Sequence, residues 1–167
     1  LCGDETAKND GRLSLNPLHH LDPIGTICLI LFKFGWAKPV MINPNNFRNR
    51  KRGTFFVSIA GVLTNFILAI ISVIILKHTN LNGFMQELLL SIFWFNIILG
   101  VFNLIPIPPL DGSKLIFSFL PIKYEYYLAK YERYGYILLL LLIISGALDK
   151  ILIPMVTFMI NLIGKIV

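Results

Sequence analysis

The chain is built around long apolar runs broken by short polar ones. The stretch TFFVSIAGVLTNFILAIISVIIL, Thr54 to Leu76, runs 23 residues without a charge and predicts a membrane-spanning helix. A polar link, KHTNLNGFMQE, follows, and a second apolar stretch over 88–105 predicts a helix running back. Residues 113–134 mix lysines and an arginine with five tyrosines, the composition of a segment lying in the headgroup zone. A third apolar stretch, 136–164, is interrupted by Asp149 and Lys150. It reads either as one broken helix or as a span followed by a surface helix.

Residues 1–53 have a different texture. Asn-Pro, Asp-Pro and Lys-Pro pairs and scattered glycines punctuate them, which favours turns over long helices. RLSLNPL and KPVMINP read as extended edge segments. Between them, Ile24 to Trp36 is apolar but too short to span, and Lys33 interrupts it, so a re-entrant or interfacial segment is expected. The predicted fold is therefore mainly α: a polytopic transmembrane helical protein, one membrane-embedded domain over 1–167, with a short extended or re-entrant β-like region near its N-terminus.

Composition supports the membrane reading. Hydrophobic residues make up 56% of the 167 and the mean hydropathy is +0.73, more apolar surface than a soluble core of this size hides. The net charge of +6 is gathered in a few polar stretches, so it calls for no nucleic-acid partner and fits loops beside a lipid bilayer. Arg48, Arg50, Lys51 and Arg52 precede the first span and place that end in the cytoplasm, which returns the end of the second span to the same face of the cell membrane. Cys2 and Cys28 form no CxxC pair and no disulfide framework. The chain starts at Leu1 without a signal peptide, which is expected of an N-terminally truncated piece.

Candidate chemistry centres on NLIPIPPLDGSK, Asn103 to Lys114. Prolines hold this backbone extended and remove N–H donors, so its carbonyls need protein or water around them, which argues for a cavity. Asp111 has two readings. One is a helix N-cap as the chain restarts after the prolines; the other is a functional acid, since an ionised Asp at mid-bilayer costs about 2.5 to 3.5 kcal/mol. Asn96 and Asn103 share a helix face, and Asn65 lies in AGVLTN on the first span with Ala60, Gly61 and Thr64. Each amide has an ordinary role open to it, hydrogen bonding between packed helices. In HHLDP, His19, His20 and Asp22 could bind a metal or serve as loop and capping residues. No GxSxG, P-loop or Cys/His arrangement supports serine, thiol or nucleotide chemistry.

The motifs GDETAKNDGRLSLNPLHHLDPIGT, FGWAKPV, NPNNFRNRKRG, AGVLTN and FNLIPIPPLDG, in that order, resemble the site-2 protease family of intramembrane zinc metalloproteases in its compact bacterial and archaeal branch. The resemblance covers Gly3 to about Gly112. It implies an endopeptidase acting on membrane-associated substrates, with Zn2+ held by two histidines of an HExxH helix and by Asp111. It also implies that Asn103 stabilises the oxyanion or positions substrate, that Asn65 positions substrate, and that His20 and Asp22 belong to a structural stretch or the rim of the site. Two departures stand out. HExxH is absent, since His19, His20 and His78 are the only histidines; the resemblance puts the motif just before Gly3, so the two His ligands and the general-base Glu are expected upstream, and this piece alone is expected to be inactive. Val62 stands where the family usually has proline. A segment such as KPVMIN is expected to pair with an unwound substrate as an added strand. Two competing readings share the scaffold: a non-catalytic pseudoprotease that binds or escorts membrane proteins, and a small transporter subunit with Asp111 and the asparagines along a polar path.

Overall fold

A computed structural model describes residues 3–32, 35, 37–38, 40, 43–121 and 123–166. The chain divides into two compact units, Leu1–Gly53 and Thr54–Val167.

In the N-terminal unit, two helices are joined by turns: α1 (Thr6–Asn9) and α2 (Pro23–Phe32), with single 3-10 turns at Pro17–His19 and Pro44–Asn46. The expected β-like region is not shown among the described residues. Among the described residues the extended pairing amounts to one isolated bridge, Leu21 with Ala37, and the apolar stretch after it is helical. The reason is local. Pro23 occupies the first helical position, where its missing N–H costs nothing, and Asp22 just before it accepts from Gly25 N–H at 2.8 Å. The segment proposed for substrate pairing contains Pro39, Met41 and Ile42, which lie outside the described residues, as do Cys2 and Lys33.

Every regular element among the described residues of the second unit is a helix. The unit contains most of α3 (Arg50–His78), then α4 (Phe84–Leu104), α5 (Asp111–Phe119), α6 (Lys123–Ile144) and α7 (Ala147–Ile166). Three of these, α3, α4 and α7, are long and apolar enough to cross a membrane. The Val62 position leaves α3 uninterrupted, and its side chain is buried. The stretch expected as one interfacial segment over 113–134 divides instead at Leu120 and Pro121, and α6 carries straight on into the apolar residues up to Ile144. The C-terminal break falls at Ser145–Gly146, not at Asp149. Gly146 has φ +68°, the left-handed conformation that glycine adopts after a helix end, and donates to Ile143 O at 3.1 Å. Asp149 then sits in the first turn of α7, where a negative charge suits the helix dipole.

Packing follows small residues. Ser58, Val62, Ala69 and Ser72 form a buried line along α3 at spacings of three, four and seven residues. Ala69 meets Ile97 and Val101 of α4 and Ile163 of α7 in one buried cluster; Ile105, Leu110, Leu139 and Leu148 form a second around the proline-rich loop. A side chain at Gly100 would strike the ring of Phe66, so glycine there sets the distance between α3 and α4. Between apolar helices in lipid this close approach, through van der Waals contact, supplies what the hydrophobic effect supplies in water. Several serine and threonine hydroxyls in these helices donate to the carbonyl one turn back, as Thr64 does to Ala60 O, Ser72 to Leu68 O and Thr157 to Ile153 O, each at 2.8 Å.

Candidate functional site

The loop Ile105–Leu110 joins α4 to α5 and fixes where Asp111 stands. Leu110, extended at φ −66° and ψ 153°, is the N-cap, and Asp111 is the first residue of α5. The capping reading of Asp111 fails: no side-chain cap hydrogen bond forms there, and the turn is closed by Ser113, whose hydroxyl donates to Leu110 O at 2.7 Å. The carboxylate is left for other partners. Its Oδ1 lies 3.5 Å from the Lys114 ammonium, one turn along α5. Its Oδ2 faces α3, 3.5 Å from the place a Cβ on Gly61 would occupy.

Two glycines lock this corner. A Cβ on Gly112 would collide with the main-chain oxygens of Leu104 and Ile105, so α5 starts directly against the end of α4. A Cβ on Gly135 would collide with the carbonyl of Pro108, so α6 presses on the proline loop from its other side. Main chain meets main chain at both points, and any other residue would force the segments apart. Further along, Phe119 at the end of α5 meets Phe55 near the start of α3, with ring centroids 5.6 Å apart. Thus α5 lies antiparallel to the first turns of α3, Phe119 opposite Phe55 and Asp111 opposite Gly61.

The two asparagines singled out in the sequence flank this arrangement. Asn103 is the next-to-last residue of α4, adjacent to the Leu104 carbonyl that Gly112 abuts; Asn65 lies one turn beyond Gly61 on the same side of α3. Both are half-buried. Asn96, by contrast, spends its amide on its own helix, donating to Ile92 O at 2.8 Å. The signals sequence reasoning passed over were Gly112 and Gly135, because a glycine required by a close approach looks the same in sequence as one that is merely tolerated.

In the N-terminal unit the candidate metal residues are engaged locally. His20 Nε2–H donates to Ser14 O at 2.8 Å, Asp22 caps α2, and the His19 carbonyl accepts from Arg12 at 2.7 Å. His20 and Asp22 thus serve as turn and cap residues through their side chains, and His19 through its carbonyl. Sequence reasoning also missed Asp4. Its Oδ1 accepts from Thr6 N–H, the Thr6 hydroxyl and the Asn46 amide, and its Oδ2 accepts from Asn43 N–H at 2.9 Å. The Thr6 hydroxyl first, and then the Asn46 amide, hold the Asp4 carboxyl well below the usual carboxylate range, because each bond favours the ionised form.

Comparison with known proteins points one way. Residues 77–146 match Peptidase family M50. The chain is 38% identical over 164 residues to the Putative zinc metalloprotease YwhC of Bacillus subtilis, covering 92% of this chain and 74% of that protein. It is 28% identical over 162 residues to the Putative zinc metalloprotease Rip2 of Mycolicibacterium smegmatis, covering 89% of this chain and 60% of the relative. It is also 38% identical over 78 residues, 46% of this chain, to the Zinc metalloprotease MJ0392 of Methanocaldococcus jannaschii, 22% of whose length is matched. No solved structure matches. A zinc peptidase centre takes three protein donors, and among the described residues no three His, Cys, Asp or Glu side chains come together in a way that could hold a metal ion. Asp111 offers one oxygen; these residues do not make a zinc site by themselves. The identity to YwhC over nearly the whole chain, together with the family match across the second apolar stretch and the proline loop, shows that this is a membrane protein of peptidase family M50, the site-2 protease family.

Proposed function

We propose that the complete protein is an intramembrane zinc metalloendopeptidase that hydrolyses peptide bonds of membrane-associated protein or peptide substrates, and that these residues form one wall of its active site. The observation that carries the reading is the position of Asp111: a half-exposed carboxylate held at the start of a helix, with one oxygen on Lys114 and the other turned toward a glycine on α3. The Gly61 position leaves open the space a side chain would fill, and Asp111 supplies one of three oxygen or nitrogen donors there. The remaining two donors and the general base belong to HExxH, which the 167 residues do not contain, so this stretch alone is inactive.

The residues present have three tasks. Asp111 presents Oδ2 in a fixed direction, because Lys114 engages Oδ1 and the Gly112 contact fixes the start of α5. Asn103 donates an amide N–H to the oxyanion that develops as the scissile carbonyl becomes tetrahedral, the type of donor whose loss costs about 2.7 to 4 kcal/mol of transition-state stabilisation. Asn65 holds the substrate main chain beside it. The active-site end lies near the cytoplasmic face, on the side of the basic residues before α3.

The test is metal content. Full-length protein purified in detergent is expected to retain about one zinc per chain, and Asp111→Ala to lose it while keeping its helical content. Unchanged zinc in that variant overturns the assignment. A coding sequence upstream of Leu1 without HExxH overturns the enzyme reading and leaves the scaffold one.

A further inference from the structure

The apolar stretch of the N-terminal unit leaves its polar turns and comes back to them at one place. Leu21 and Ala37 form the isolated bridge, and Lys38 N–H donates to His20 O at 2.8 Å. Between these residues the chain runs through α2 and closes on it again at Gly35, where a Cβ would collide with Gly25 O and with the Leu29 Cβ. The neck of this excursion is polar, with His20, Asp22 and Lys38 beside the bridge. The helix is not, since Pro23 to Phe32 contains no charged residue. Its first donors are satisfied within the chain: Asp22 Oδ1 accepts from Gly25 N–H at 2.8 Å, and Asp22 O accepts from Thr26 N–H at 2.8 Å and from the Thr26 hydroxyl at 2.7 Å.

Three observations identify what covers this helix. Ile24, Ile27, Leu29, Ile30 and Leu31 are each more than half exposed. Helical spacing puts Ile24, Ile27, Ile30 and Leu31 on one side and Leu29 on the other. A helix apolar on all sides is stable only inside apolar surroundings, and a protein docked on one side would leave the other in water, whereas acyl chains enclose both. Length comes next. The 10 residues of α2 rise about 15 Å, half of a hydrocarbon core of about 30 Å, too short to cross it and long enough to fill one leaflet. Last is the neck: a segment that starts and finishes at one pair of bonded residues enters a bilayer and leaves it by the same face.

We propose that α2 is inserted into a single leaflet of the bilayer, with the polar neck at headgroup depth, the Phe32 end deepest and lipid acyl chains around it. The inference rests on the chain being a membrane protein and is independent of the peptidase reading. A helix lying flat at the surface would keep one of its two apolar sides in water.

The experiment reconstitutes the full-length protein in vesicles of phosphatidylcholine and phosphatidylglycerol, with native cysteines replaced by serine and one nitroxide at Ile24→Cys, Leu29→Cys, Ile30→Cys or, as a water reference, Lys8→Cys. All four positions are exposed, so a label displaces no packed side chain. Collisions with oxygen, which concentrates in lipid, are compared with collisions with a water-soluble nickel chelate. Oxygen is expected to dominate at Leu29 and Ile30 and nickel at Lys8. Six residues at about 1.5 Å each make Ile30 up to about 9 Å deeper than Ile24. Nickel dominance at Leu29 or Ile30 means water there, poor access of both reagents means a protein cover, and equal depth at Ile24 and Ile30 means a helix lying flat; each overturns the proposal. A lipid-soluble diazirine tests the unsubstituted protein, which keeps the proposal falsifiable if a labelled variant fails to fold. After photolysis the peptide holding Pro23–Phe32 should carry label as the peptide holding 54–76 does, and label on the latter alone overturns it.

Discussion

The two units lean on different contacts, although close glycine contacts occur in both, at Gly35 against Gly25 O and at Gly53 against the Phe47 ring in the first. In residues 1–53 side chains bond to main chain: Asp4 gathers Thr6, Asn43 and Asn46, Asn16 accepts from Leu18 N–H, and Asp22 caps α2. In residues 54–167 the decisive positions have no side chain at all. Gly100, Gly112 and Gly135 let a phenylalanine ring or a main-chain carbonyl come closer than any Cβ would allow. The contrast follows from solvent. A short polar segment cannot bury enough apolar surface to order itself and relies on hydrogen bonds that fix local turns; apolar helices in lipid gain nothing from hiding more apolar surface and are ordered by how closely they approach.

That contrast is open to attack, beginning with the largest effect. Gly112→Val drives two methyl groups into the Leu104 and Ile105 carbonyls and is expected to cost about 3 kcal/mol or more, read as a large drop in the thermal midpoint in detergent. A variant as stable as the parent would remove main-chain approach as the organising feature of the second unit. In the N-terminal unit, Asp22→Ala leaves the Gly25 N–H without its acceptor and is expected to cost about 1 kcal/mol, seen as faster amide exchange confined to the start of α2.

Asp4 gives a pH signature to the same unit. Its folded pKa lies below its ordinary 3.8, so the folded state binds the proton less readily than the unfolded one. The stabilisation is therefore complete above the ordinary value and is lost as pH falls through it toward the depressed folded value. Protection of the Thr6 and Asn43 amides should fall between about pH 5 and pH 2 in the parent and stay low at every pH in Asp4→Ala. Protection that persists in the variant would mean that the turns stand without the carboxylate. The smallest effect is expected at Ser72. Its hydroxyl bonds only to its own helix, so Ser72→Ala should change stability by less than about 0.5 kcal/mol, and a large loss would reveal a polar contact between helices that the second unit is said not to need.

How much of this could be read in advance tracks the same division. The spans now seen as α3 and α4 were legible because an uncharged apolar run of that length has one stable form in lipid. Asp111 stood out in the sequence because an acid beside prolines at the end of such a run is costly without a purpose. The stretch from Ile24, expected as a re-entrant or interfacial segment, forms the helix α2; its signals, Asp22 as cap and Pro23 at the first turn, are also turn signals, and only the chain that follows decides between them. The C-terminal break was placed at the charges of Asp149 and Lys150, whereas a single positive-φ glycine three residues earlier ends the helix. Gly112 and Gly135 gave no sequence signal, because what they must avoid lies on other segments.

The clamp on the proline loop has a further consequence for how this corner tolerates change over evolutionary time. The Asp111 main chain is referenced to α4 through Gly112 and Leu104, and to α6 through Gly135 and Pro108, so its coordinates are set by backbone and are largely insensitive to which side chains decorate the loop. Substitutions at the exposed positions of this loop can therefore drift, whereas Ile105 and Leu110 are held by the second buried cluster. A change in the number of residues there has no such freedom: one added or removed residue must displace a helix or carry the carboxylate away from Gly61. Loop length, more than loop identity, is the inherited quantity at this site.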